Sequence, residues 1–301
     1  MPLVIAAPDD TSWSLAECLD GLGDAGFDPA DPASLADGAL ALRRLGNNRA
    51  FLGDLLVERL AALSRHTSDA SAYGAQSIVL SAPRGGCFLR ANIWPSETDA
   101  CFRSSGARAF VYGTPHDHNF SFLTVGYHGP GYASDYYEYD GEQAFGIVGE
   151  RPGLRFVERS ALTHGKLMLY RAHRDVHSQL PAASLSVSLN ILRMDPAESW
   201  RDQYGFDLES GAIAGVLNPN ATETFLRCAV ALGGEEALDF AAHVGRTHPS
   251  DRLRLASFHA RSLGMDARQA DDLWRRAEGA GSRLVAHEAR AARRALALAA
   301  I

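Results

Sequence analysis

The chain has little cysteine: Cys18, Cys87, Cys101 and Cys228 are the only four in 301 residues, and none forms a Cys-x-x-Cys pair. That spacing excludes a disulfide framework and a zinc ribbon, and it fits the reduced thiols of a cytoplasmic protein. Long hydrophobic runs are missing too, since no segment approaches the roughly 18 apolar residues of a membrane span. The opening Met1-Pro2-Leu3-Val4-Ile5 lacks a basic lead-in and does not read as a secretory signal. Positive charge is not in excess. The net charge of -7 argues against nucleic-acid binding, and the locally basic Arg283, Arg290, Arg293 and Arg294 read as one solvated helix face. No Gly-x-Ser-x-Gly, P-loop or Gly-x-Gly-x-x-Gly motif occurs, which leaves hydrolase and nucleotide-binding readings without support.

What is present is a hydrophobic fraction of 46%, enough to bury a core without help from metals or disulfides. Residues 11 to 65 carry helical periodicity, with Leu15, Cys18, Leu19 and Leu22, then Phe51, Leu55, Leu56, Leu60 and Leu63, so two or three helices open the chain. From Gln76 the pattern turns into short apolar segments cut by Gly, Pro and Ser: Ser77 to Ala82, Cys87 to Trp94, Arg108 to Tyr112, Phe120 to Tyr127 and onward to Arg193. This predicts about eight antiparallel strands, with turns at Arg84-Gly85-Gly86, Gly129-Pro130-Gly131 and a hairpin at Asp140-Gly141. Strands are predicted to stop at Asp195-Pro196, after which Asn220 to Ile301 reads as helices opened by Asn220-x-x-Glu223 and punctuated by Gly233-Gly234, Gly264 and Gly279 to Gly281. The expected class is α+β: an N-terminal helical layer over 1–72, a β-barrel over 73–195 and a C-terminal helical region over 196–301.

Of 11 histidines, six (His116, His118, His128, His164, His173 and His177) fall within about a fifth of the chain. In Pro115-His116-Asp117-His118 the alternation of an extended chain sends His116 and His118 to one side and Asp117 to the other, which nominates the two histidines as metal ligands. A third ligand is expected later in the barrel, where His177 is the choice and His173 the alternative. His164 reads as structural or exposed. His66, His243, His248, His259 and His287 sit in predicted helices or their caps without a His-x-x-x-His pair and read as surface residues. Arg90, Arg171 and Arg174 are candidates to clamp a substrate carboxylate, and Tyr127, His128, Tyr170 and Gln179 to hold or move a proton, with Tyr132 beside them. The Gly126 to Tyr132 stretch is expected to be a tight loop whose aromatics cover the barrel mouth.

The His-x-His segment, the strand beginning at Gly165 and the following His177 resemble the two motifs of the cupin superfamily. That resemblance implies a double-stranded β-helix (jelly-roll) barrel with a metal near its mouth. Where cupins usually carry a Glu after the second His, this chain has Phe122 and Leu123, so the resemblance implies a three-histidine site, His116, His118 and His177. Pro181-Ala182-Ala183-Ser184-Leu185-Ser186-Val187-Ser188 is similar to a segment of the three-histidine thiol dioxygenases. Their Ser-x-His-x-Tyr relay is missing, Ser186, Ser188 and Asn190 standing there instead, which argues against cysteine as substrate. Three neutral imidazoles leave a divalent ion its full charge, so an anionic substrate is expected to bind it directly. Fe(II) suits these ligands, with Zn, Ni, Mn or Cu open on ligand type. The implied activity is a dioxygenase or hydroxylase acting on a small anionic or amino-acid-like molecule or peptide side chain. A non-redox isomerase or lyase and a non-catalytic binding module stay open, and edge strands with exposed helix faces allow a homodimer.

Overall fold

A computed structural model describes residues 1–24, 26–64 and 76–299. His66 and the expected 72/73 boundary lie outside the described residues. The chain divides into two compact units, one of residues 1–142, 151–198 and 203–214, the other of 143–150, 199–202 and the remainder from 215.

The first unit opens with β1 (Leu3–Ile5), α1 (Leu15–Leu22), α2 (Pro32–Asn47) and α3 (Phe51–Ser64). Ser14 and Glu17 form a reciprocal capping box at the start of α1, and the Asp31 carboxylate accepts the first free N–H groups of α2. Then follow β2 (Ser77–Val79), β3 (Cys87–Trp94), α4 (Ala100–Ser105), β4 (Phe122–His128), β5 (Tyr132–Glu138), β6 (Arg155–Leu162), β7 (Leu167–Tyr170), β8 (Asp175–Gln179), β9 (Ser186–Arg193), β10 (Tyr204–Asp207) and β11 (Ala212–Val216). A six-stranded sheet runs β1-β7-β4-β9-β3-β2, a three-stranded sheet runs β6-β5-β8, and β10 pairs with β11.

Alternation along the strands makes two cores. Leu89 and Ala91 of β3, Leu123 and Val125 of β4, and Leu189 and Ile191 of β9 face Leu42 and Leu45 of α2. The odd-even partners on the same strands, Trp94, Phe122 and Leu192, turn the other way with Tyr170 of β7 and meet Tyr132 and Tyr136 of β5. Trp94 stacks on Tyr132 with ring centroids 3.9 Å apart, which joins the two sheets face to face. Every large side chain buried in either layer contributes roughly 1.5–3 kcal/mol relative to exposure. The helical layer thus covers one face of the large sheet, and the other face closes an aromatic interior. Cys18 and Cys87 belong to the helix-side core, where burial pushes the Cys18 thiol up to about 12.

Three local expectations fail. Arg108 to Tyr112 is not a strand: Ala107–Phe110 is a 3-10 turn, closed by Val111 in the left-handed region at φ 60°. Asp140-Gly141 does not close a hairpin, because β5 ends at Glu138 and β6 starts only at Arg155, the chain between supplying residues 143–150 to the second unit. Strands do not stop at Asp195-Pro196 either, since β10 and β11 follow and residues 203–214 belong to the first unit.

The second unit holds α5 (Ala221–Leu232), α6 (Glu235–Thr247), α7 (Asp251–Ser262), α8 (Ala267–Glu278) and α9 (Arg283–Ala299). Asn220, Ser250 and Asp266 cap α5, α7 and α8 through their side chains. Phe258, Leu273, Trp274, Leu284 and Val285 form its core, Ile147 packs on it, and the Phe145 ring lies 4.1 Å beneath the Arg283 guanidinium. Among the described residues no helix is long and apolar enough to cross a membrane.

Candidate metal centre

The His-x-His segment lies just before β4 rather than inside it, yet its backbone is held extended from both sides. The His116 N–H donates to the His177 carbonyl at 3.0 Å and the His177 N–H returns the bond at 2.9 Å. On the opposite edge the Asp117 N–H donates to the Tyr204 carbonyl at 3.1 Å and the Phe206 N–H donates to the Pro115 carbonyl at 2.9 Å. Clamped between β8 and β10, the segment keeps the alternation of a strand.

Asp117 therefore points away from the histidines. Its carboxylate is fully buried and accepts the Tyr139 hydroxyl at 2.5 Å and the Tyr204 N–H at 2.6 Å. His173, the alternative third ligand, is drawn to this side: its Nδ1 lies 3.4 Å from the Asp117 carboxylate, and its backbone is left-handed at φ 53°.

His116, His118 and His177 converge on the other side. The Nε2 atom of His177 lies 3.0 Å from that of His118 and 3.2 Å from that of His116. One ligand atom from each falls within 4.8 Å of the others, with no carboxylate in the set. The Nδ1 of His116 is 2.7 Å from the Thr114 carbonyl. A carbonyl only accepts, so Nδ1 carries the hydrogen and Nε2 offers its lone pair. Burial pushes all three imidazoles below the ordinary 6.5, His118 and His177 well below, and at His118 the neighbouring histidines and Arg90 add to it. Three neutral imidazoles whose Nε2 atoms meet in this way can turn their lone pairs on a cation held between them. The spacing fits such an ion: with metal–nitrogen bonds of about 2.1 Å, ligands at right angles stand about 3.0 Å apart, against about 3.4 Å in a tetrahedron. Fe(II), Zn, Ni, Mn and Cu all bind imidazole nitrogen, so the donor set by itself does not choose among them.

Gln179 sets its amide 3.2 Å from Nδ1 of His177. The contact is made by the amide Nε2, which also stands 3.3 Å from the ring's Nε2, so Gln179 packs against the edge of the His177 ring and holds its orientation. Around the three rings stand Phe122, 4.8 Å from His118, and Tyr170, 4.9 Å from His177 and stacked on Phe122 at 4.6 Å. Tyr170 is fully buried, its hydroxyl 3.0 Å from that of Tyr136, and burial holds it well above its ordinary value, as a neutral phenol.

The other candidates part company here. Tyr127 faces the helix-side core, its hydroxyl donating to the Asn48 carbonyl at 2.9 Å and its ring against Phe51, so it is turned away from the histidines. His128 is exposed at the far end of β4. The Gly129-Pro130-Gly131 turn follows it, so this loop sits at the end opposite the metal ligands and does not cover their mouth. His164 is exposed and structural, with Nδ1 2.9 Å from the Tyr127 carbonyl and Nε2 2.7 Å from Arg49. Arg171 is consumed by the Asp175 and Glu138 carboxylates, and Arg174 is exposed. Neither is placed to clamp a substrate. Arg90 differs: it is half-buried on the face of β3 that it shares with Phe88 and Trp94, no ion pair is formed with it among the described residues, and its Nε is buried without a hydrogen-bond partner. Burial lowers it from 12.5 to about 10, so it stays charged at neutral pH. Sequence reasoning missed Thr114 and Tyr136. A tyrosine on an alternating strand was visible, but only the register that sets Tyr136 opposite His177 gives it a place beside the ligands.

No protein-family model and no curated protein sequence matches the chain. Solved structures do align with it. Salicylate 1,2-dioxygenase from Pseudaminobacter salicylatoxidans matches 48% of this chain at 12% identity and TM-score 0.27, and the match spans 33% of that protein's length. A cupin domain from Bordetella pertussis aligns over its full length with 42% of this chain, at 14% identity and TM-score 0.24. A Pseudomonas putida prolyl-4-hydroxylase aligns over 60% of this chain and 79% of its own, at 13% identity and TM-score 0.21. Likeness this distant says nothing of chemistry, which rests on the residues of the chain itself.

Proposed function

We propose that this chain is a cupin-type, Fe(II)-dependent oxygenase that acts on a small anionic substrate. The observation that carries the reading is the convergence of three imidazoles, the His177 Nε2 standing 3.0 and 3.2 Å from those of His118 and His116 and one ligand atom of each lying within 4.8 Å of the others, with no carboxylate among them. His116, His118 and His177 would hold the ion through imidazole nitrogen alone, a donor set that suits Fe(II) and would leave room at the ion for an anionic substrate. When bound, iron supplies the redox chemistry and O2 activation that no side chain can.

The rest belongs to the chain. Thr114 fixes the hydrogen of His116 on Nδ1 and so keeps its Nε2 lone pair available, and Gln179 holds the His177 ring in place. Phe122 and Tyr170 wall the site against water, which strengthens every charge interaction inside it. Arg90, charged and unpaired in the same interior, attracts the anionic group and orients it. The Tyr136 and Tyr170 hydroxyls, neutral and bonded to each other, form a donor pair beside His177.

The test is elemental analysis of protein purified anaerobically without chelator, followed by O2 uptake with a panel of small thiols, amino acids and carboxylates. Near-stoichiometric iron, lost in His116→Ala, His118→Ala and His177→Ala but kept in His173→Ala, with substrate-triggered O2 uptake, supports the proposal. Iron retained by all three alanine variants overturns it. Stoichiometric zinc, nickel, manganese or copper without O2 uptake replaces it with a non-redox isomerase or lyase, and absence of any metal with a binding module.

A further inference from the structure

The buried polar atoms that lack a partner are not scattered. Strand register puts Arg90 opposite Asn190, Asn190 opposite Thr124, and Thr124 opposite Met168, one row across the interior face of the large sheet. The row next to it, Phe88, Leu192, Phe122 and Tyr170, carries the aromatic wall of the metal ligands. On the small sheet the same step leads from Tyr136 and His177 to Ser134 and Gln179. One repeat of the pleat, about 7 Å, separates the two levels. Arg90 Nε, Thr124 Oγ1 and Gln179 Oε1 belong to the deeper level and are buried without a hydrogen-bond partner, and the buried Ser134 hydroxyl on the same level has only the Tyr136 side chain near it. Thr124, Ser134 and Gln179 are at most 3% exposed.

Desolvated hydroxyls left without partners disfavour the folded state, and an apolar substitution would remove that cost. Several of them at the level of the Arg90 Nε, one step from a metal-binding cluster, describe a ligand's polar outline: an anion for Arg90, and a group that both donates and accepts for the two hydroxyls and the spare end of the Gln179 amide. The amide leaves one polar end facing this level whichever end His177 takes.

We infer that this layer selects a small hydroxylated carboxylate, its carboxylate on Arg90 and its hydroxyl on Thr124, with Ser134 and Gln179 completing the contacts. The inference rests on the proposed metal site for the other end of the molecule. Thr124 and Ser134 then determine specificity without touching the metal.

The probes are malate, succinate and butyrate, titrated calorimetrically into the metal-loaded full chain and, in parallel, into chelator-treated protein. Wild type is expected to prefer malate over succinate roughly three- to ten-fold, the value of one buried hydrogen bond. Thr124→Val, which keeps the shape, and independently Ser134→Ala, are expected to bring the two within about two-fold while leaving succinate affinity and metal content in place and the melting temperature equal or higher. Arg90→Met is expected to weaken both dicarboxylates to the level of butyrate. Wild type binding none of them, or butyrate as well as malate, overturns the inference, as does a malate preference that survives Thr124→Val and Ser134→Ala. Metal analysis on the same samples separates the two readings. Metal bound without malate preference refutes the layer alone, and malate preference in protein that binds no metal refutes the metal site alone and upholds the layer.

Discussion

Replacing Asp117 with Asn tests whether the chain behind the histidines aims them. The Asp117 carboxylate is sealed from water and takes the Tyr139 hydroxyl at 2.5 Å through one oxygen and the Tyr204 N–H at 2.6 Å through the other, with His173 Nδ1 at 3.4 Å. Asparagine keeps one acceptor of the two. If its oxygen takes the Tyr204 N–H, its NH2 faces Tyr139 and His173, and the charge-assisted bond becomes at best a neutral one. Hydrogen bonds to a charged group are worth about 1.5–3 kcal/mol, and a buried donor left facing a donor costs about as much, so the expected loss is about 2–3 kcal/mol. For a unit of roughly 200 residues that lowers the melting temperature by about 5–10 °C. The comparison is Asp135→Asn, whose pair with Arg159 at 2.6 Å has a guanidinium 60% exposed. That surface pair is worth under about 1 kcal/mol. Urea unfolding measures both, and metal titration of Asp117→Asn is expected to show an affinity about ten-fold lower as the His-x-His segment loosens. A loss no larger than that of Asp135→Asn, with metal affinity unchanged, would refute the reasoning.

Three further outcomes follow from single contacts. Gln179→Ala is expected to weaken metal binding about ten-fold, because His177 loses the side chain that holds its ring in place; equal metal affinity in Gln179→Ala would remove the amide from that role. Arg44, bonded to Asp9 at 2.9 Å, holds that carboxylate at about 2 against its ordinary 3.8. A lowered carboxylate contributes stability that is present above pH 4 and lost as pH falls through about 2, so the gap in melting temperature between wild type and Asp9→Asn is expected to be constant from pH 7 to 5 and to close towards pH 2. Leu189→Ala, at a position with no exposure in the core between the large sheet and α2, is expected to cost about 2–5 kcal/mol in urea unfolding without altering metal stoichiometry.

How far the sequence could be read depended on the range of the interaction involved. Cys87 to Trp94 is a strand with the limits the apolar pattern gives it, and α1 begins and ends with the leucine spacing, because each is decided by neighbours a few residues away. The paired direction of His116 and His118 was legible for the same reason: two residues on an extended backbone share a face. The third ligand was not, since His173 and His177 stand on one short stretch and only long-range partners separate them. Register with β5 sends His177 inward, while Asp117 captures His173 on the other side.

The arginines make the same point about chemistry. Arg90, Arg171 and Arg174 offer identical side chains, and only the folded chain says which one keeps its charge available. Asp175, four residues from Arg171, joins Glu138 from a different strand to occupy that guanidinium, and Arg174 is left in solvent. Arg90 has neither fate because its neighbours across β9 and β4 are Asn190 and Thr124, which carry no negative charge to neutralise it. A buried cation kept without a counter-ion works against folding, and that cost is recovered when an anion binds. The feature that most narrows the substrate is therefore the missing carboxylate beside Arg90. Placing one there by Thr124→Asp should satisfy the guanidinium from within the chain, raising stability while abolishing carboxylate binding, whereas a change in neither would mean that Arg90 has no anion to wait for.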